Sequence, residues 1–212
     1  SGGLIIKVAH RTKVIDAINE GLIRLYTRFI LNEKDVVISL RDHITAYRLN
    51  SLYSETLYPQ DGVEIPYILD LPGEVFVNDV IKVLAVYDND GCELPLNNST
   101  NCKSVFTPKF DTVQVPEPKT GKLMNVVYQA KHILLSIDDS LEEITLPDTL
   151  YGALEAYVAH LLFADINSDD SKIRSDKQLI RYEQICSEVV ATDITSSTTI
   201  QSNVKFHKRG WV

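Results

Sequence analysis

A chain of 212 residues with 44% hydrophobic and 24% charged side chains can bury one large core or two small ones, which excludes a wholly disordered protein. Lys and Arg number 21 against 29 Asp and Glu, a formal net charge of −8, and this excludes a generally basic nucleic-acid binder. Cys92, Cys102 and Cys186 form neither a CxxC pair nor a zinc spacing, so reduced thiols are expected, with Cys92 and Cys102 close enough in sequence to meet across a hairpin.

The first residues, SGGLIIKVAHRTK, lack the apolar stretch and cleavage site of a signal peptide, and no run nears the ~18 apolar residues of a membrane span. A soluble chain that is not exported by a cleaved signal is expected. Between Val8 and Ile30, Ile15, Ile18, Leu22, Leu25 and Phe29 step by three and four, while Lys13, Asp16, Asn19, Glu20, Arg24 and Arg28 take the other side. This is the pattern of an amphipathic helix, weakened at Gly21 unless a second backbone approaches closely there.

All eight prolines lie from Pro59 to Pro147, marking a turn-rich middle between helical ends. In that middle DVVISL, HITAYRL, VEIPYILDL, KVLAVY, SVFTPKF, DTVQV and NVVYQAKH carry β-branched and aromatic residues at strand length, and DNDG before CELPL supplies hairpin turn chemistry. Helical periodicity returns at TLPDTLYGALEAYVAHLLFADI, where Pro147 stands near the first helical position and Asp148 in the first turn. Leu150, Ala153, Leu154, Ala156, Tyr157, Val158, Leu161, Leu162 and Phe163 surround this helix, so it is expected to be buried and central. A polar turn, NSDDS, leads to a third helix near residues 172–191, with Leu179, Tyr182, Cys186 and Val189 in step. The expected class is α+β: residues 1–34 and 147–191 form a helical bundle, and residues 35–146 an inserted antiparallel β-rich subdomain.

Residues 192–212 form an expected extended C-terminal arm. TDITSSTTIQSN is rich in Ser and Thr and has little to bury, and VKFHKRGWV then interleaves Lys205, Lys208 and Arg209 with Phe206 and Trp211, the chain's one tryptophan. A tryptophan beyond a linker with no core suits a pocket on another chain, so Lys205, Phe206, Lys208, Arg209, Trp211 and Val212 are the candidate partner-binding residues.

Other chemistries are weaker. Asp165, Asn167, Asp169, Ser171 and Asp176 fall on a calcium-loop template, but Asp170 replaces its glycine and Asp176 its Glu; a helix–helix turn capped by Ser168 or Asp169 explains the stretch. A calcium-regulated binding module and a weak nucleic-acid-binding regulator using KFHKRGW stand as alternatives. Asp138, Asp139, Glu142, Glu143 and Asp148 form an acidic run unrelieved by any base, which reads as a solvated face, a pore lining or a surface for a basic partner. His10, His43, His132, His160 and His207 accompany no nucleophile elbow, phosphate loop or HExxH helix, so no catalytic residue, cofactor or metal site is expected.

The order of segments carries a resemblance. A first helix ending in LYTRFILNEKDVVISL, then PGEVFVNDVIKVLAVYDNDGCELPLN, SVFTPKFDTVQVPEP, VVYQAKH, LPDTLYGALEAYVAHLLFADIN and a final KFHKRGWV resembles the head-to-tail adaptor proteins of short-tailed bacteriophages, over nearly the whole chain from Lys7. The resemblance implies a virion protein assembled in the host cytoplasm, typically a ring of twelve copies between the portal protein and the tail nozzle protein. Double-stranded DNA would pass through the channel without sequence-specific binding, and no membrane would be involved. The helical bundle and arm would engage the portal and the β-rich part the tail.

Overall fold

The computed structural model describes residues 8–56, 66–71, 73–136 and 143–192. The class is α+β, and the chain divides into two compact units: one runs up to Leu31 and resumes at His132, the other spans Asn32–Lys131.

The helical unit contains α1 (Val8–Arg28), α2 (Asp148–Ala164) and α3 (Asp169–Ala191). On α1, Leu22, Leu25 and the following Phe29 are buried as their spacing requires, with Ala17 and Tyr26 beside them. A Cβ on Gly21 would stand 2.7 Å from Leu154 Cδ1 and 3.3 Å from Tyr157 Cδ1, so the glycine lets side chains of α2 close on α1. Pro147 occupies the N-cap of α2 and not its first turn, leaving Asp148 as the first helical residue. Only the first half of α2 is fully buried, at Leu150, Ala153, Leu154, Ala156 and Tyr157. Val158, Leu161, Leu162 and Phe163 are half-buried, which corrects the expectation of an all-round buried helix: two packed neighbours cannot cover a helix that is apolar on every side.

α3 starts at Asp169, three residues before the sequence pattern places it, because the Ser168 side chain accepts the Ser171 N–H (3.2 Å) and Asp169 and Asp170 suit the first turn. His160 and Ser175 clasp α2 to α3: His160 Nδ1 lies 2.8 Å from the Ser175 hydroxyl, which also lies 3.0 Å from the His160 carbonyl.

The β unit holds β1 (Glu33–Ser39), β2 (Ala46–Arg48), β3 (Ile68–Leu69), β4 (Val80–Tyr87), β5 (Glu93–Leu94), β6 (Phe106–Lys109), β7 (Thr112–Gln114) and β8 (Leu123–Ala130), with a 3-10 turn at Ser51–Tyr53. One antiparallel sheet has the order β3-β1-β8-β4-β5 and a second β2-β7-β6. β1 and β8 pair along their length, Val36 opposite Val126 and Ile38 opposite Met124. Residues of both sheets, Ile38, Val86 and Val126 from the larger and Tyr47 and Val113 from the smaller, enter one core cluster with Tyr67 and Phe76. The DNDG hairpin forms between β4 and β5: Asp88 Oδ1 accepts the N–H groups of Asp90 (3.0 Å) and Cys92 (2.8 Å), and Gly91 takes φ +77°. Pro108 sits in β6, at the edge of its sheet, where a missing N–H costs no ladder bond. VEIPYILDL yields only the two-residue β3; its residues 63–65 lie outside the described ones.

Candidate interaction surface

The arm residues Lys205, Phe206, Lys208, Arg209, Trp211 and Val212 all lie outside the described residues, as do Asp138, Asp139 and Glu142 of the acidic run. Within the helical unit a different surface is built. Glu20, Ile23, Arg24, Thr27 and Arg28 recur along the exposed side of α1 at helical spacing and border an open groove of about 490 Å³. Tyr157 of α2 and Tyr182 and Glu183 of α3 complete its lining.

The two arginines are held over aromatic rings. The Arg24 guanidinium lies 5.0 Å from the Tyr157 ring centre and 5.9 Å from that of Tyr182, and the Arg28 guanidinium 6.0 Å from that of Tyr182. Attraction between cation and ring faces fixes both side chains where an unsupported arginine would sample many rotamers. Arg24 also donates to the Tyr157 hydroxyl (3.0 Å), which donates to Glu20 (2.7 Å), and Arg28 pairs with Glu183 (2.7 Å). These bonds raise the pKa of each arginine, the Tyr157 bond dominating for Arg24 and the Glu183 bond for Arg28.

Tyr182 is fully buried, and its hydroxyl makes no hydrogen bond although Arg28 and Cys186 are its polar neighbours. Burial pushes its pKa up to about 12, and burial likewise raises the Cys186 thiol, so both are neutral across the physiological range. Tyrosine and arginine at the centre of a groove are the residue types that dominate protein–protein binding energy.

A second apolar feature of the same unit is the segment after His132. The Asn19 side chain donates to the Leu135 carbonyl (3.0 Å) and accepts its N–H (2.8 Å), as a neighbouring strand would. Ile133 and Leu134 next to this clamp are 71% and 60% exposed.

The calcium template does not assemble as a ligand cage. Asp165 pairs with Lys13 (2.5 Å), whose hydrogen bond lowers its pKa, while Asp169 lies 3.5 Å from Lys172 and Ser171 is buried beside Ser168. Among the described residues no three His, Cys, Asp or Glu side chains come together as a metal site. Cys92 and Cys102 are both exposed free thiols. Among the described residues no helix is long and apolar enough to cross a membrane.

The sequence pattern puts Glu20, Arg24 and Arg28 only on the polar side of α1. Their 3–4 spacing was visible; that Tyr157 and Tyr182 would lie beneath them was not, because those rings arrive from helices more than a hundred positions away. No protein-family model matches the chain, and no curated protein matches it.

Proposed function

We propose that the chain is a structural virion protein, a ring-forming head-to-tail adaptor of a short-tailed bacteriophage that joins the portal protein to the tail nozzle protein. One observation carries this reading: the order of elements. A long amphipathic α1, a β-rich stretch of about a hundred residues, and a helical pair that returns to pack on α1 follow the order of the adaptors that the sequence resembles. A Ser/Thr-rich linker and a basic-aromatic end then follow Thr192.

Two physical features suit the role. A net charge of −8 opposes lasting cationic contacts with DNA moving through a channel. Exposed Ile23, Ile133, Leu134 and the Arg–Tyr groove give the helical unit surface to share with other chains. Lys205, Phe206, Lys208, Arg209, Trp211 and Val212 are the proposed anchors to the portal or a neighbouring copy. Many copies make a modest affinity per arm sufficient, because each bound arm raises the effective concentration of the others.

The test is electron imaging and mass measurement of the purified protein with and without its cognate portal. A closed ring on the portal is expected. A chain ending at Thr192 is expected to retain its helical circular dichroism and fail to assemble; normal tail attachment by that truncation overturns the proposed role of the arm.

A further inference from the structure

We infer that the Arg24–Arg28 groove of one copy receives the acidic segment at residues 138–143 of a second copy, forming the contact through which copies join head to tail. The inference rests on the ring-forming reading for the premise that copies associate.

The groove lining carries two arginines and two glutamates, and its arginines are placed to take an acidic occupant. Both guanidiniums are oriented by stacking on buried tyrosines, and an oriented guanidinium can meet a carboxylate through two parallel hydrogen bonds at little further cost in side-chain entropy. Arg28 already neutralises Glu183, and Glu20 is occupied in accepting from Tyr157. Arg24 has no carboxylate within 4.0 Å among the described residues, and its guanidinium donates to the neutral Tyr157 hydroxyl.

The chain itself carries the matching segment. Between Lys131 and Lys172 there are nine Asp and Glu and no Lys or Arg, and Asp138, Asp139, Glu142 and Glu143 are the densest part of that stretch. Ile137 and Leu141 interleave with these acids and suit the half-exposed Ile23 at the groove. Ser136 and Glu143, on either side of residues 137–142, are both exposed. The basic C-terminal segment fits less well, since Lys205, Lys208 and Arg209 would meet two further cations. Groove and acidic segment are different patches of one chain, so their contact is heterologous and repeats from copy to copy, the requirement for a ring.

Sedimentation velocity of the full chain without portal tests the contact separately from the adaptor role. Wild type is expected to pass beyond dimer mass as concentration rises and to revert towards monomer in ~1 M salt, where screening reaches about 3 Å. Arg24→Glu/Arg28→Glu and Asp138→Lys/Asp139→Lys/Glu142→Lys, each confirmed folded by circular dichroism, are each expected to stay monomeric. An equimolar mixture is expected to associate beyond a pair, because the unchanged groove of one variant meets the unchanged acidic segment of the other and the two charge-reversed halves meet in turn. Combining all five changes in one chain is expected to restore association, which a merely misfolded variant could not do. Wild type that stays monomeric, either variant associating like wild type, a monomeric mixture, or a five-fold variant that stays monomeric overturns the inference. Failure to assemble on a portal bears only on the adaptor reading.

Discussion

Tyr182 buries its ring completely while its hydroxyl goes unbonded, so ring and hydroxyl contribute with opposite sign. Tyr182→Phe is expected to change stability by less than about 1 kcal/mol, since no made bond is lost, whereas Tyr182→Ala is expected to cost about 3–5 kcal/mol through the cavity it leaves. Urea unfolding followed by circular dichroism measures both. Because burial raises the hydroxyl's pKa to about 12, the neutral form's contribution is complete below the unfolded value near 10 and is lost as pH rises from there through 12. Tyr182→Phe should therefore flatten the alkaline fall in stability. Asp70 in the β unit has the opposite sign. Burial pushes its carboxyl up, but the N–H of Phe76 (2.9 Å), the hydroxyl of Ser54 and the N–H of Thr56 (3.0 Å) outweigh that and hold it below the ordinary value. Its contribution is present above the unfolded value near 4 and is lost as pH falls through the lower folded one. Asp70→Asn is expected to cost about 1–3 kcal/mol at neutral pH, by turning an acceptor into a donor that faces donors, and to weaken the acid dependence of the urea midpoint.

At the scale of elements, α1 shows how helix propensity yields to packing. Gly21 costs about 1 kcal/mol against Ala in an isolated helix, yet an alanine methyl here would require Leu154 or Tyr157 to move. Overpacking of about 1–3 kcal/mol exceeds the propensity gain, so Gly21→Ala is expected to be destabilising by about 1 kcal/mol, read from the thermal or urea midpoint. A gain in stability would mean that Leu154 yields freely. Asn19, Glu20, Arg24 and Arg28 each reach a partner on another segment, at Leu135, Tyr157 and Glu183, so the polar side of α1 also fixes neighbouring chain. In the β unit the hairpin at DNDG, the edge position of Pro108 and the bulges where β4 meets β8 keep local chemistry and sheet position in agreement.

For the molecule as a whole, two compact units from one chain require the middle residues to fold as an insertion, with the helical unit completed only when α2 and α3 return to α1. The proposed adaptor role adds contacts beyond the single chain, and its strongest residue-specific expectation falls on the arm. Trp211→Ala should weaken binding to the portal or a neighbouring copy by about 2 kcal/mol or more, roughly thirtyfold, if the indole fills a pocket. Titration of the variant against assembled portal measures it, and an unchanged affinity removes Trp211 from the anchors.

Much of this protein was legible in its residues because the signals are local. The 3–4 spacing from Ile15 to Phe29, the apolar run from Leu150 to Phe163, the step from Leu179 to Val189 and the turn chemistry of DNDG depend on near neighbours, and each appears as the expected element. The length of β3, the exposure of the second half of α2 and the Arg–Tyr groove were not legible. Arg24 bonds a hydroxyl 133 positions away, and whether a charged residue faces only water or a ring from another helix depends on which helices pack and at what angle. Periodicity determines the face each helix offers; only the packed structure decides what that face meets, because burial and stacking are properties of non-local neighbours.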